Sequence, residues 1–285
     1  MPKISIIFDR LRSEEKMLQK AAAELGHDIT LINAKTAQMS TDPTQTAPDM
    51  GDVVLQRCIS HYRGVYVAAF LEFLGVPTIN NWKVSYICGN KILTTLRLEE
   101  AGIPTPKTYF AFSKEMASEC VERVGYPLVI KPVIGSWGRG VMPVKDRDAM
   151  DAIIEIRELS DTPHDRIYYL QEMVDRPPRD IRVITIGEQA VAAMYRQSGG
   201  RFRTNVASGG DPEICEITGE LEDMAIAASR AAGGGILGVD IMEDKKRGMV
   251  VHEVNGTVEF RGLSSVSRRD IPRTMIEFAV DHIRR

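Results

Sequence analysis

Short apolar runs alternate with segments of helical period through the first third of the chain, and this alternation restricts the fold more than any other feature. The runs lie at 4–8, 29–32, 53–55 and 76–79, and the helical segments start near Ser13 and Val65 and stop at Gly26 and Gly75. Strand, crossover helix and strand in that order make a parallel pair, so a small open parallel sheet with helices packed on it is expected. Residues 36–52, rich in Ser, Thr, Pro and Asp, read as a loop.

A second unit is expected to begin near Lys91. A helix over 90–101 stops at Gly102, and Ile103-Pro104-Thr105-Pro106 then enforces an extended path. Ser113 reads as the N-cap of a helix whose apolar stripe is Met116, Cys120, Val121 and Val124, stopped by Gly125 and Pro127. A strand at 128–130 carrying Lys131, a helix over 148–159 and a strand at 167–173 follow. From about Arg176 strands dominate, at 181–186 and 190–195, and a helix between Thr218 and Ala232 runs into Gly233-Gly234-Gly235.

Near the C-terminus, Asp240 closes the run Ile236-Leu237-Gly238-Val239, and Val250-Val251-His252-Glu253-Val254-Asn255 sets an acid and an amide two residues apart. In a strand that spacing puts Glu253 and Asn255 on one face, with His252 and Val254 on the other. Taken singly, each acid is better explained as a solvated strand end. Together they conflict, because two like charges about 4 Å apart repel by roughly 4 kcal/mol at an effective dielectric near 20. A divalent cation would remove the conflict, and oxygen donors without Cys or His suit Mg²⁺ shared with nucleotide phosphates better than zinc.

Other candidates lie in the middle of the chain. Lys131 ends a strand of buried character just before Gly135-Ser136-Trp137-Gly138-Arg139-Gly140, a turn able to wrap backbone N–H groups around an anion. That turn is neither a Walker A motif nor a GxGxxG fingerprint. Lys91 lies at a helix boundary, and Gln171-Glu172-Met173-Val174-Asp175 reads either as a hinge offering backbone groups to adenine and a carboxylate to ribose, or as a strand running into Pro177-Pro178. Arg182, Arg196 and Asn205 sit on strand-like segments; the guanidinium fork suits phosphate oxygens, although a salt bridge explains each arginine equally well.

Bulk composition excludes more than it assigns. With 36 Lys and Arg against 39 Asp and Glu, the net charge of −3 gives no support for nucleic-acid binding. Cys58, Cys88, Cys120 and Cys215 show neither zinc spacing nor a disulfide framework, and read as buried thiols of a cytoplasmic protein. No signal peptide and no membrane span is expected.

The order of these features resembles the ATP-grasp superfamily, within it the RimK-like branch, and most closely the LysX-type carrier-protein ligases of lysine biosynthesis. The resemblance spans nearly the whole chain, through Phe8-Asp9-Arg10-Leu11-Arg12, Gln56-Arg57-Cys58-Ile59-Ser60, Cys88-Gly89-Asn90-Lys91, 102–108, the run from Val129 to Arg139, 179–183, Thr204-Asn205, Glu253-Val254-Asn255 and Glu259-Phe260. It implies an α/β (α+β two-lobed) ATP-grasp fold: an N-terminal open parallel-sheet domain at 1–88, a central subdomain at 89–175 and a C-terminal subdomain at 176–285, with ATP bound between the last two. It further implies a ligase in which ATP phosphorylates the C-terminal glutamate side chain of a small acidic carrier protein, and the α-amine of an amino acid then displaces phosphate.

The implied roles follow the candidates. ATP would be held by Lys91, Lys131, the lid Gly135, Ser136, Trp137, Gly138 and Arg139, the hinge Gln171, Glu172, Val174 and Asp175, and Arg196 and Asn205. Mg²⁺ would be held by Asp240, Glu253 and Asn255. Arg196, Lys131 and Arg182 would be catalytic, and Arg196, Asn205, Asn255, Thr257, Glu259, Phe260 and Gly262 would meet the amino acid. The carrier would meet basic groups such as Arg57, Arg63, Arg176, Arg179 and Lys245-Lys246-Arg247. A homo-oligomer, dimer or tetramer, is implied as well.

One departure divides the substrate. After Glu259-Phe260 the lysine-branch members resembled here carry a basic residue and Asn, whereas this chain has Arg261-Gly262-Leu263, more like the arginine-branch relatives that take glutamate. One methylene is worth only about 1–3 kcal/mol, so α-aminoadipate, glutamate or both are expected. Rival readings are a RimK-like glutamate ligase acting on a pterin, a deazaflavin or a ribosomal-protein tail, and a non-catalytic ATP-binding regulatory module.

Overall fold

A computed structural model describes residues 2–42, 49–199, 202 and 212–283. Among the described residues the strands form three sheets. In the first, β1 (Ile4–Phe8), β2 (Ile29–Asn33), β3 (Val53–Gln56) and β4 (Thr78–Ile79) are parallel in the order β2-β1-β3-β4, joined partly by α1 (Ser13–Glu24) and α2 (His61–Phe73). The five residues of β1 are all buried, as a strand covered on both faces requires. Helix α2 starts a turn before the expected Val65. That turn has no apolar period, but Gly64 lets it approach β3 so closely that a Cβ would lie 2.6 Å from the Gln56 amide. A further helix that periodicity did not indicate, α3 (Trp82–Cys88), is capped by the Asn81 side chain, which accepts from the Val84 N–H at 3.0 Å.

The second sheet is antiparallel: β5 (Thr108–Ala111), β6 (Leu128–Lys131), β7 (Met142–Val144) and β8 (Tyr168–Glu172) in the order β5-β8-β6-β7. Helices α5 (Lys114–Val124) and α6 (Arg147–Glu158) bury their stripes on one face, while α4 (Lys91–Glu100) leads into this unit. Ser113 caps α5 as expected, accepting from the Met116 N–H at 3.2 Å. Met116 itself is exposed. The buried series is Ala117, Cys120, Val121 and the partly buried Val124, so three of the four expected positions hold and Ala117 stands in for Met116 at the regular helical spacing.

The third sheet, β9 (Arg179–Ile186), β10 (Gln189–Gln197), β11 (Glu213–Ile214), β12 (Ile236–Asp244) and β13 (Gly248–Asn255), is antiparallel in the order β11-β10-β9-β12-β13, with α7 (Gly219–Ala231) packed on it. After α8 (Arg261–Ser264), the closing helix α9 (Ile271–Ile283) returns to the first sheet. Met275, Ile276 and Ala279 share one core with Ile4, Ile6, Leu18 and Val53 from the N-terminus and Ile184 and Val191 from the third sheet. Strand β1 and helix α9, far apart in sequence, are thus buried together. No described helix is long and apolar enough to cross a membrane.

Asn80 ties the first sheet to the third. Its amide donates to the carbonyls of Ile236 (2.8 Å) and Gly256 (2.7 Å) and accepts from the Ile236 N–H (2.8 Å). Gly235 makes the approach possible, because a Cβ there would lie 2.1 Å from Asn80 Oδ1. Asn80→Ala would leave these buried groups unpaired and is expected to cost roughly 3 kcal/mol of unfolding free energy in chemical denaturation. Asn80→Asp, whose carboxylate cannot donate to either carbonyl, is expected to be no better tolerated.

Candidate functional site

Strand register places the candidate residues. Asp240 lies opposite Arg182 on one side and Glu253 on the other, while Arg196 lies opposite Asp180. Directly paired residues share a face, as do residues at spacing two, so Asp180, Arg182, Arg196, Asp240, Glu253 and Asn255 project together. A β-bulge interrupts this ladder: Asp240 pairs with Glu253, but Ile241 pairs with Val251, leaving His252 as the extra residue. The bulge overturns the expectation that His252 points away. Its ring lines the same cleft, with Nε2 3.7 Å from Asp180 Oδ2, while Val254 faces the core as expected.

The carboxylates on this face are paired within the protein. Arg182 grips Asp240 with Nε and Nη2, and Arg196 holds Asp180 through two bonds of 2.7 and 2.8 Å while reaching Asp240 at 2.9 Å. Lys91 lies 3.3 Å from Glu253. The like-charge conflict expected from sequence is therefore offset within the protein by Arg182, Arg196 and Lys91. Burial by itself would raise the Asp180 carboxyl, but Arg196 and then His252 hold it well below the usual carboxylate range. Glu253 behaves alike: burial opposes its charge, and Lys91, His252 and Lys131 outweigh burial. Burial also disfavours the Arg196 cation, yet Asp240 and Asp180 keep its proton bound more firmly than usual.

The opposing wall belongs to the second sheet. Lys131, at the end of β6, is 6% exposed and donates to Gln171 Oε1 at 2.6 Å. Lys91 opens α4, where its backbone N–H bonds to Val133 O at 2.9 Å and its Nζ donates to Gly135 O at 2.9 Å. In the glycine-rich turn, Trp137, Gly138 and Gly140 all adopt positive φ, and the Arg139 guanidinium lies 5.9 Å from the centre of the Trp137 ring. Gly135 passes so close to Pro132 that a Cβ would sit 3.1 Å from its ring. Between the walls is a cleft of about 690 Å³ that Lys91, Lys131, Gly135, Ser136, Trp137, Gly138 and Arg139 line together with Asp240, Glu253 and Asn255.

Other expected residues divide. Gln171, Glu172 and Val174 line the cleft, but the Gln171 side chain is taken by Lys131, and Glu172 accepts from the Lys107 N–H (2.7 Å) and pairs with Arg247 (2.6 Å). Asp175 does not reach the cleft; it points outward and pairs with Lys245 at 2.7 Å. Thr257, Glu259 and Gly262 line the cleft, Thr257 donating to Cys58 O at 3.1 Å and Glu259 lying 3.7 Å from Arg12. Phe260 does not line it: the ring is fully buried in the shared core beneath the Arg57 guanidinium, because the residues flanking an exposed Glu259 alternate inward. Asn205 and Thr204 lie outside the described residues.

The basic groups assigned to a partner are mostly engaged. Arg57 is buried, bonding Glu15 (3.1 Å) and Val258 O (3.0 Å), so it cannot face one. Arg63 pairs with Asp9, Arg179 stacks on Tyr195 and pairs with Glu243, and Arg176 lines the cleft. Residues not singled out from sequence also line the cleft: Asp180, His252, and Arg10, Arg12 and Glu14 beyond β1. Asp180 was findable, since it stands two residues before Arg182 on the same strand. His252 was not, because a bulge leaves no mark in the alternation.

The donor chemistry fits Mg²⁺. Among the described residues no three acids, His or Cys gather as a self-sufficient metal site. Two carboxylates and an amide on one face are what remains when phosphates and waters complete the shell.

Lys131 sets a pH dependence. Burial lowers its pKa to about 8, with Glu253 opposing the shift and Lys91 adding to it. The unfolded chain then holds more protons than the folded one from about pH 8 to the ordinary lysine value, so this group's contribution to stability improves as pH rises through that window. Anion binding runs the other way. A phosphate group favours the charged amine, so above pH 8 binding takes up a proton and Mg·ADP affinity, measured by calorimetry, is expected to fall by up to about tenfold per pH unit. Lys131→Arg should flatten that decline.

A RimK-like ATP-grasp domain profile matches residues 88–279, and a LysX preATP-grasp domain profile matches residues 4–87. The chain is 39% identical over 275 residues to the alpha-aminoadipate–LysW ligase LysX of Sulfurisphaera tokodaii, covering 96% of each protein. It is 33% identical over 277 residues to the glutamate–LysW ligase ArgX of Sulfolobus acidocaldarius, covering 97% of each. A RimK-domain ATP-grasp protein from Sphaerobacter thermophilus shares the fold with a TM-score of 0.80, at 24% identity and over 98% of this chain and 99% of that one. The chain therefore belongs to the RimK-like ATP-grasp family, as an ADP-forming ligase that makes carbon–nitrogen bonds with ATP and Mg²⁺.

Proposed function

We propose that the enzyme joins the α-amino group of α-aminoadipate, glutamate or both to the side-chain carboxylate of the C-terminal glutamate on a small acidic carrier protein of the LysW type. The observation that carries this reading is the convergence, in one cleft, of Lys91 and Lys131 from one wall with Arg182, Arg196, Asp240, Glu253 and Asn255 from the other. Full-length similarity to ligases named for each amino acid supports leaving both substrates in place. So does Arg261-Gly262-Leu263, where lysine-branch character gives way. The same resemblance supports the division at 1–88, 89–175 and 176–285, and a cytoplasmic dimer or tetramer acting on neither nucleic acid nor membrane.

In this reading a carrier carboxylate oxygen attacks the γ-phosphorus of ATP, ADP leaves, and the amino acid's nitrogen attacks the acylphosphate carbon, releasing phosphate and a proton. Mg²⁺, held by Asp240, Glu253 and Asn255 with the phosphates, would draw charge from the moving phosphoryl group. Lys91 and Lys131 take the nucleotide's phosphates, the 135–139 turn covers them, and Gln171, Glu172 and Val174 border the base. Arg196 and Arg182 meet the charge that develops in transfer. Arg196 suits this task because two carboxylates already fix its fork, so little reorganisation accompanies the reaction. Asn255, Thr257, Glu259 and Gly262 border the amino-acid end, and Asn205 completes the set assigned to substrate.

Mass spectrometry of a LysW-type carrier incubated with enzyme, Mg·ATP and each amino acid tests the reading; the carrier should gain one residue of α-aminoadipate, of glutamate, or of whichever is supplied. An unmodified carrier in every mixture would refute it. Arg196→Ala is expected to lower kcat by roughly 10²- to 10³-fold. Arg196→Lys, which keeps charge but loses the fork, should fall between, with melting temperatures checked because Asp180 loses its main partner.

A further inference from the structure

The ammonium of Lys131 is held by a chain of neutral side chains whose hydrogen bonds the nucleotide reading leaves without a task. Gln171 Oε1 accepts from Lys131 Nζ at 2.6 Å, and Gln171 Nε2 donates to Tyr169 Oη at 3.0 Å and to Thr108 Oγ1 at 2.9 Å. Tyr169 Oη then meets Thr95 Oγ1 at 2.8 Å. The amide must turn its oxygen to the ammonium, since a flipped amide would oppose N–H groups to N–H groups, and between Tyr169 and Thr95 either hydroxyl can donate.

The fold places this chain between the two lysines. Lys131 and Tyr169 are directly opposed in the β6–β8 pairing, and Gln171 is diagonal to them on the same face. Thr95 lies one turn beyond Lys91 on α4 and so on the same side of that helix. Tyr169 is 1% exposed, Gln171 3% and Thr95 8%, so the chain is buried while Lys131 and Gln171 at its end line the cleft.

We propose that Gln171 and Tyr169 are positioning residues that aim the Lys131 ammonium into the cleft and lock β6 to α4, so that Lys131 and Lys91 present their charges to the phosphates as one rigid pair. This inference rests on the reading of Lys131 as a phosphate-binding residue. One of its three N–H groups is spent on Gln171, and the other two are left for the ligand. A hinge residue expected from sequence to serve adenine through its backbone thus gains a separate side-chain task.

The test is a double-mutant cycle on Mg·ADP affinity by calorimetry, with KM for ATP, KM for the amino acid and kcat alongside. Gln171→Leu is expected to weaken Mg·ADP about tenfold and Tyr169→Phe about threefold, raising KM for ATP while leaving KM for the amino acid within twofold. In a Lys131→Ala background, Gln171→Leu should cost no further affinity. Full additivity in that background, with melting temperatures showing both proteins folded, would overturn the relay while leaving Lys131 as a phosphate residue. Unchanged affinity in Lys131→Ala alone would remove the phosphate reading and the relay with it. Tyr169→Phe, which preserves the packed ring, keeps the test decisive if Gln171→Leu fails to fold.

Discussion

Neutralisation of charge on a buried sheet face is the constraint from which the rest of this structure follows. Asp180, Asp240 and Glu253 project from β9, β12 and β13 where water is scarce, and Arg196, Arg182 and Lys91 answer them. Such pairs contribute little net stability, because desolvation consumes much of the attraction, but removing one partner leaves an uncompensated charge and costs about 3–5 kcal/mol. The network therefore fixes side-chain geometry more than it strengthens the fold. Arg196, shared between two carboxylates, is its most constrained member.

Lys131 is the exception to that balance. Among the described residues it forms no ion pair, and its nearest polar partner is the neutral amide of Gln171. Burial makes this cation costly, as its lowered pKa records. A site that keeps an ammonium without a direct ion pair beside a matched set of charges is prepared for an incoming anion. The glycine-rich turn beside it, with positive φ at Trp137 and Gly138, brings backbone to the same place.

The cleft is shared because the chain closes on itself. Helix α9 enters the core of the first sheet, Asn80 crosses from β4 to the third sheet, and Arg57 spans from β3 to Val258. These ties bring Arg12 and Glu14 to the cleft end bordered by Thr257 and Glu259. A site read as lying between two subdomains thus has a third wall, supplied by the N-terminal sheet. Arg12 reaches Glu259 through pairing with Glu15, which is itself fully buried.

The parallel first sheet, the capped α5, the buried strand ending in Lys131 and the shared face of Asp240, Glu253 and Asn255 were legible in sequence because each depends on local periodicity or a neighbouring glycine or proline. Short elements such as α3 and β5 were not, since a few residues carry too little pattern. Phe260 and Asp175 were misplaced because adjacent residues in an irregular segment diverge, one into a core and one into solvent, and only packing decides which. His252 was misplaced because a bulge breaks the alternation that the reading assumed. Sequence by itself determined which side chains carry charge, which share a strand face, and the family they signal. Tertiary structure alone decided which arginines and which lysine pair with those acids, and that Gln171 serves Lys131, because those pairings join strands and helices that are distant in the chain and meet only when the sheets close.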